Sequence, residues 1–387
     1  MENKSAIVFV VDGINALMLP PYGNTAIEMP SLNELASQSV LFDFVSTESP
    51  DLMEAISGLW ETENNSLMGQ LALEGISSTL LTDHLELARS KAAQDFDRVI
   101  DAQIEIPDRL AGDPGESWLA QFFAQVIEAI QMLEPNSLLW IHCSGLFGAW
   151  DAPYPYRASL ADEEDPDPPH DVTPPTDTFN PEEDSPDTLL GYQQSCFAQL
   201  MLLDQFLGVL VDQMPECWLA FSSTRGYPLG EHGQVGTHNL HSESVHVPLL
   251  IRDPGQPELA ACRNPGVTCL NQLSGWLCDW FDVPNSKPNL ALESSLPNTN
   301  GEWVLSKFQG MTSIQTHYWK LIRDSNHLPP QRKLYKKPDD RWEVNNVFDR
   351  CPQVAPALEQ LLDDAVLRAE NGQTDPLEIP TILQSET

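Results

Sequence analysis

The apolar residues of this chain form short runs that alternate with helical patterns along most of its length. Runs rich in apolar and β-branched residues predict buried strands at residues 6–11, 40–45, 77–82, 138–142, 217–221 and 247–252. Apolar residues recur at helical spacing from residue 30 and over residues 116–133, 189–214 and 268–281. Strands that alternate with helices predict an α/β fold with a large, mostly parallel sheet flanked by helices.

Beyond residue 300 the pattern changes to short strands that follow one another without helices between them. These predicted strands cover residues 303–308, 312–316, 317–322 and 332–335, and a helix follows at residues 352–370. The pattern predicts a small C-terminal antiparallel α+β subdomain.

The same patterns divide the chain into regions. We predict a domain over residues 1–285, a linker over 286–300, the C-terminal subdomain over 301–370 and a flexible tail over 371–387. Residues 154–188 are rich in proline and acid, and we expect an excursion there that contains neither a helix nor a strand.

Polar residues mark the ends of two predicted elements. Ser31 is a good N-cap for the first helix, and Glu34 three positions later completes a capping box. Asp12 and Gly13 directly follow the first strand. Because open α/β sheets bind ligands at the carboxyl ends of their strands, Asp12 is a candidate site residue, with an ordinary turn as the alternative.

The charge of the chain limits its partners. Its 387 residues include 57 acids and 20 bases, which gives a formal net charge of −37 at pH 7. Such a surface repels nucleic acids and anionic membranes, so we expect neither as a partner. The expected partner is a protein or small-molecule ligand of unknown identity.

Cysteine usage and the length of the apolar runs indicate a compartment. The seven cysteines include no CxxC pair, and one would remain after any full pairing. The first apolar run is too short for a signal core, and no later run is long enough to predict a membrane span. We therefore expect reduced thiols and a cytoplasmic protein.

Residues 221–250 are the best candidate for a site. They read FSSTRGYPLGEHGQVGTHNLHSESVHVPLL and hold four of the nine histidines. This loop joins two predicted strands, whose ends hold loop side chains in fixed positions. The histidines are separated by five, two and four residues, a spacing that matches no ordinary zinc motif. We therefore expect a pocket here, with a metal site among these histidines as the less favoured interpretation.

Several segments in a fixed order resemble the sulfatases of the alkaline phosphatase superfamily. IVFVVDGINALMLPPYGN at residues 7–24 is similar to the family's opening strand, acid and Tyr-Gly-Asn turn, and residues 29–47 are similar to its TPNLDRLA and GVRFDNAYT segments. Residues 191–211 resemble a family helix with Tyr, Asp and Gly at fixed intervals. The remaining similar segments are FSSTRGYPLGEHG, SESVHVPLLIRDPG and residues 333–362, which resemble TSDHGEMLGEHG, EESVRVPLLIRGPG and ELYDLEKDPGELNNLA.

This resemblance covers nearly the whole chain and implies a hydrolase site of a known kind. In the family, two adjacent acids after the first strand and an Asp-His or Asp-Asn pair before Gly-Glu hold a divalent cation, usually calcium. A cysteine in a Cys-x-Pro-x-Arg motif is converted to the formylglycine nucleophile, and a lysine helps to hold the sulfate. Since a sulfate ester is an anion, such a site must be strongly positive.

The metal-ligand positions of the family are mostly replaced in this chain. The first acid is present as Asp12, but its acidic neighbour is Gly13, and the Asp-His pair falls on Thr224 and Arg225. A hard cation such as calcium takes six or more oxygen ligands, so this set predicts no calcium site. Asp12 is the one ligand that we expect if any metal binds.

The positions of the nucleophile and of the sulfate-binding lysine are replaced as well. Glu48 stands in place of the cysteine, and Leu52 stands in place of the arginine of its motif. The lysine falls on Thr237, followed by His238 as is frequent in the family, and His232 lies in a Gly-Glu-His-Gly frame like the family's. Without the cysteine, no formylglycine can form.

The sequence therefore predicts a sulfatase-like protein without sulfatase activity and without a resident cofactor, which acts by binding or regulation. We expect an internal ion pair to fill the former metal site, between Arg225 and Asp12, Glu48 or both. The alternative is a hydrolase of sulfuric or phosphoric esters with a rearranged site that depends on calcium or another divalent cation. That alternative would require a hydroxyl nucleophile beside the lost cysteine.

Overall fold

The computed structural model describes residues 4–61, 66–284, 303–373 and 377–385. The predicted linker at residues 286–300 lies outside these ranges, as does part of the predicted tail at residues 371–387. The described strands, in chain order, are β1 (Ser5–Val11), β2 (Val40–Ser46), β3 (Ser77–Thr82), β4 (Arg98–Asp101), β5 (Ser137–Cys143), β6 (Asp177–Thr178), β7 (Trp218–Ser222), β8 (Gln234–Val235), β9 (His246–Val247), β10 (Leu249–Arg252), β11 (Arg263–Cys269), β12 (Trp303–Phe308), β13 (Met311–Thr316), β14 (Trp319–Asp324) and β15 (Gln331–Lys336).

The α-helices among the described residues form both short connections and long core elements. They are α1 (Pro30–Ser37), α2 (Leu52–Trp60), α3 (Leu67–Leu73), α4 (Leu85–Ala88), α5 (Trp118–Gln131), α6 (Tyr154–Ala158), α7 (Pro186–Gln213), α8 (Ser242–Val245), α9 (Leu273–Trp280) and α10 (Val354–Glu370).

The large sheet has the strand order β11-β2-β10-β7-β1-β5-β3-β4, and β9 pairs with β2. β1 runs parallel to β5 and β7, and β3 runs parallel to β4 and β5. β10 is antiparallel to both of its neighbours. The predicted mostly parallel α/β sheet is confirmed, and the carboxyl ends of β1, β3, β5 and β7 meet at one edge.

β1 is apolar along its whole length because helices cover both faces of the sheet. Ile7 and Phe9 pack into a core shared with α1, α5 and α7. Ala6 and Val8 pack into a second core shared with α2, α3 and α9. A strand that is buried on both faces has a continuous run of apolar residues, as the sequence predicted.

α7 is longer and more apolar than the sequence analysis allowed for. Residues 186–211 have a mean hydropathy of 1.3 in their most apolar window, so by length and composition this helix could cross a membrane. Within the protein, 61% of that window is buried. Leu200, Leu203 and Leu207 contribute to the same core as α1 and α5. The apolar character of α7 is thus accounted for by its packing inside the fold.

The strands β12 to β15 form an antiparallel meander of four strands. α10 packs on this sheet, with Leu358 and Leu362 in a core that also contains Ile314 and Leu321. The predicted small C-terminal antiparallel sheet with one helix is confirmed.

A buried cluster of charges joins the two sheets. Glu343 has no exposed surface in its side chain, and its Oε1 lies 3.0 Å from Lys320 Nζ and 2.8 Å from Lys337 Nζ. Its Oε2 accepts hydrogen bonds from His241 Nδ1 at 2.8 Å and from the Ser242 amide at 3.2 Å. Burial alone would raise the pKa of Glu343, but the two lysines and His241 outweigh it and hold the pKa well below the usual range.

The expectation that residues 154–188 contain neither helix nor strand is wrong. α6 lies within this segment, β6 pairs with β8, and α7 begins at Pro186. The buried Arg157 side chain donates hydrogen bonds to the carbonyl groups of Trp150, Pro169 and Asp171. Because this guanidinium satisfies several backbone acceptors at once, it fixes the conformation of the segment. The high proline content of the segment did not indicate this stabilising contact.

Several predicted boundaries also differ from the structure. α1 begins at Pro30, and the Asp204 carboxylate, rather than Ser31, accepts from the amides of Ser31 and Leu32 at 3.1 and 2.8 Å. Residues 268–281, predicted as one helix, contain the end of β11 and then α9, and β4 was not predicted. In each case the partner comes from a distant part of the chain. Helix α1 is capped by a residue of α7, β11 pairs with β2, and β4 pairs with β3.

We expect the substitution Glu343→Gln to lower the free energy of unfolding by about 3–5 kcal/mol, because it leaves two buried ammonium groups without their counter-ion. Urea unfolding at neutral pH measures the change. Asp339→Asn is the control, since Asp339 is 67% exposed and pairs with Lys336 on the surface, where the expected effect is below about 1 kcal/mol. Equally small effects for both variants would contradict this role of Glu343.

Candidate functional site

Polar side chains from separate parts of the sequence converge at the carboxyl edge of the large sheet. Asp12 follows β1, Asp83 follows β3, and Thr224 and Arg225 come after β7, while His142 is the penultimate residue of β5. Parallel strands bring their carboxyl ends together, so these residues become neighbours in the fold. This edge is the candidate functional site.

Asp12 is the centre of the site. Its side chain is fully buried, and its Oδ2 lies 3.4 Å from Arg225 Nε and 3.5 Å from His142 Nε2. The Thr224 hydroxyl donates a hydrogen bond to Asp12 Oδ1. Burial alone would raise the pKa of Asp12, but His142, Arg225 and Thr224 outweigh it and lower the pKa to about 2. Asp12 is therefore an anion at neutral pH, and the expected ion pair with Arg225 is present.

The Arg225 guanidinium is held in place on several sides. Its Cζ lies 4.1 Å from the centre of the Phe147 ring. Its Nη1 lies 3.5 Å from the Pro50 carbonyl oxygen and 3.4 Å from His238 Nε2. Burial and the charge of Arg225 lower the pKa of His238 to about 4, so His238 is neutral at pH 7 and can accept from the guanidinium. With a side chain only 14% exposed, Arg225 is a fixed cation beside Asp12.

The second acid that the family resemblance implies has no room in this backbone. Gly13 has a φ of +87°, a conformation that residues with a side chain rarely adopt. A Cβ atom on Gly13 would lie 2.6 Å from the Cβ atom of Leu146. The Gly13 amide donates to the Arg225 carbonyl, and the Gly13 carbonyl accepts from the Tyr227 amide. The positive φ and the contact with Leu146 therefore allow a glycine at this position and exclude an aspartate.

The residues around Asp12 do not fit the divalent cation of the sulfatases. Calcium takes six to eight oxygen ligands, but of the three described side chains in contact with Asp12 only Thr224 offers an oxygen atom. Thr224 adds a hydroxyl oxygen, whereas His142 brings nitrogen and Arg225 brings a positive charge. A metal ion next to the guanidinium would be repelled by it.

The residues that the family resemblance matches to the nucleophile motif contribute to the scaffold. Glu48 Oε1 accepts a hydrogen bond from Asn271 Nδ2 at 2.9 Å, and a Cβ atom on Gly58 would lie 2.5 Å from Glu48 Oε2. Leu52 is the first residue of α2 and is buried in the apolar core. Of the two anions expected to pair with Arg225, the structure places Asp12 beside it and directs Glu48 to Asn271.

Two of the predicted site residues lie outside this centre. Thr237 Oγ1 donates a hydrogen bond to Gln234 Oε1 within its own loop. His232 Nδ1 lies 2.9 Å from Glu243 Oε1, and His232 Nε2 lies 3.0 Å from the Glu343 carbonyl oxygen. His232 therefore belongs to the junction between the two sheets.

The structure also adds residues that the sequence analysis did not single out. His142 contacts Asp12, Phe147 contacts Arg225, and Asp83 accepts a hydrogen bond from the Ser144 amide at 2.7 Å. The sequence signal for His142 was its position at the end of an otherwise apolar strand. Phe147 carried no such signal, because an aromatic residue in a loop is ordinary.

A cavity of about 360 Å³ opens beside the centre, at the ends of β3, β4 and β5. This volume falls within the usual range for small-molecule sites, about 300–1,000 Å³. Its wall combines apolar and acidic side chains, among them Ile104, Trp118, Phe147, Asp83, Glu86 and Glu105. Phe147 thus contacts both the cavity and Arg225.

Curated relatives of this sequence are sulfatases. The chain is 24% identical to human arylsulfatase K over 196 residues, which cover 44% of this chain and 36% of that protein. It is 23% identical to an N-acetylglucosamine-6-O-sulfatase of Bacteroides thetaiotaomicron over 217 residues, which cover 50% of this chain and 38% of that protein. The matched region thus spans little more than a third of the length of these relatives. No protein-family model matches the chain.

Solved structures share the fold along nearly the whole chain. The phosphonate monoester hydrolase of Agrobacterium radiobacter superposes with a TM-score of 0.73 at 15% identity, over 95% of this chain and 96% of that chain. A 2-O GAG sulfatase superposes with a TM-score of 0.69 at 13% identity, over 100% of this chain and 97% of that chain. The chain therefore shares the fold of these solved hydrolases, among them sulfatases, and its curated sequence relatives are sulfatases.

Proposed function

We propose that this protein is a sulfatase-like binding or regulatory protein without sulfatase activity. The observation that carries the proposal is the Arg225 guanidinium, which lies 3.4 Å from Asp12 where a sulfatase holds its metal ion. A catalytic metal stabilises the charge that develops on the ester and lowers the pKa of the attacking group. A guanidinium neutralises Asp12 but does not activate a nucleophile in this way.

Two further features support the loss of hydrolysis. The left-handed conformation of Gly13 and its contact with Leu146 exclude the second metal-binding acid. Glu48 stands where the family has its nucleophilic cysteine. An additional carboxylate near the position of an anionic sulfate would weaken substrate binding.

The cavity beside the former metal site supports a binding role. It lies at the carboxyl ends of parallel strands, where open α/β sheets bind their ligands. Its apolar wall and its acids Asp83, Glu86 and Glu105 suit an uncharged or positively charged ligand rather than a sulfate ester. The ligand is a small molecule or a segment of a partner protein.

Activity assays test this proposal directly. Purified protein is offered aryl sulfates, phosphate monoesters and phosphate diesters, each with calcium, magnesium, manganese and zinc. We expect no turnover above that of the Asp12→Ala variant, and no calcium binding by calorimetry. Turnover by the wild type that disappears in Asp12→Ala or Glu48→Ala would show a hydrolase with a rearranged site and would overturn the proposal.

The buried ion pair predicts a pH-dependent contribution to stability. Folding lowers the pKa of Asp12 from 3.8 to about 2, so the unfolded chain takes up the proton first as pH falls. The contribution, about 2 kcal/mol for a shift of this size, is full above pH ~4 and is lost as pH falls toward ~2. Urea unfolding should therefore show a smaller difference between wild type and Asp12→Asn at pH ~3 than at pH ~7. An equal difference at both pH values would contradict the role assigned to Asp12.

A further inference from the structure

We propose that His232, His241 and Glu243 form a binding site for a zinc-type divalent metal ion, separate from the position of Asp12. One ligating atom from each residue lies within 4.8 Å of the other two. Two imidazoles and one carboxylate are a known donor set for zinc sites with three protein ligands. The site lies where the large sheet meets the C-terminal sheet.

The two imidazole rings already lie face to face. Their centroids are 3.6 Å apart, and their planes are 13° from parallel. His241 is buried, and the side chain of His232 is 19% exposed. Metal binding requires the planes of the two rings to tilt toward a common point, which the broad χ2 preference of histidine permits.

Glu343 holds one nitrogen of each ring. His232 Nε2 lies 3.0 Å from the Glu343 backbone carbonyl oxygen, which can only accept, so this nitrogen carries a proton. His241 Nδ1 lies 2.8 Å from the Glu343 carboxylate and donates to it. Histidines that bind metals almost always donate their second N–H to a carbonyl or carboxylate in this way. The nitrogens that remain for a metal ion are His232 Nδ1 and His241 Nε2.

The neighbours of these two nitrogens are those of a cation site. His232 Nδ1 lies 2.9 Å from Glu243 Oε1, and two acceptors at this distance need a proton or a metal ion between them. Asn239 Nδ2 donates to the same oxygen at 2.9 Å and so orients the carboxylate. His241 Nε2 lies 3.2 Å from the Lys333 ammonium group. Without a metal, a proton and an ammonium group therefore occupy the places that the ion would take.

The surroundings leave room for a fourth ligand. A cavity of about 250 Å³ is lined by His232, His241 and Lys333. Lys333 has a long, flexible side chain that can withdraw from His241 into this cavity when a metal binds. A water molecule from the cavity would complete a four-coordinate site. Such a site favours Zn²⁺ over Ca²⁺, because calcium takes six or more oxygen ligands.

Metal titration of the full chain after treatment with a chelator tests the proposal. We expect one Zn²⁺ to bind per chain by calorimetry, and Co²⁺ to give the visible absorption of a four- or five-coordinate site with nitrogen ligands. His241→Ala and Glu243→Gln should weaken Zn²⁺ binding by more than the roughly 10–100-fold caused by changes next to a metal ligand. His327→Ala is the control, since that imidazole is 52% exposed and lies outside the site, and its affinity should be unchanged.

Lys333→Ala gives a result that a purely structural cluster would not produce. Removal of the ammonium group beside His241 Nε2 takes away a competing cation, so Zn²⁺ should bind about 10-fold more tightly. A variant with unchanged or weaker affinity would show that His241 does not bind the metal.

Asp12→Asn separates this site from the former sulfatase site and should leave Zn²⁺ affinity unchanged. Loss of Zn²⁺ binding in Asp12→Asn with retention in His241→Ala would overturn the proposal, as would the absence of one-to-one binding to the wild type. Circular dichroism checks that each variant is folded. His232→Ala, which changes a partly exposed side chain, replaces His241→Ala if that variant does not fold, and it should weaken binding to a similar degree.

Discussion

A carboxylate that is buried at the end of the central strand has to be neutralised, and the arrangement of the site follows from that requirement. Asp12 has no exposed surface, and a buried charge without a partner costs several kcal/mol. In this chain Arg225 meets it from within the polypeptide, and Phe147 and His238 hold the guanidinium in turn. The central acid of the site is thus neutralised by a side chain of the same polypeptide.

The same physical rule organises the junction between the two sheets. Glu343 is an anion without exposed surface, and Lys320 and Lys337 surround it at hydrogen-bonding distance. The chain has only 20 bases against 57 acids, yet several of them lie inside the protein. Arg157 and Lys320 are among its largest fully buried side chains. The buried bases thus lie beside buried acceptors, while the other described bases lie at least partly at the surface.

Much of the architecture could be predicted from local pattern. Each strand at the centre of the large sheet reads as an apolar run, since helices cover both of its faces. The edge strands β4 and β11 were harder to predict from the sequence. Each pairs with a strand from a distant part of the chain, β4 with β3 and β11 with β2, and its own composition does not indicate that pairing. The start of α1 was misassigned to Ser31 for a related reason, since the capping carboxylate belongs to Asp204 in α7.

The sequence by itself determined the α/β fold and its C-terminal antiparallel sheet. These depend on residue identity and on periodicity, which a single chain displays directly. Only the tertiary structure decided which groups meet. It paired Arg225 with Asp12 and not with Glu48, and it placed His232 and His241 in contact. Such contacts cross between strands and sheets, and burial and hydrogen bonding in the folded protein select among the partners that the sequence leaves open.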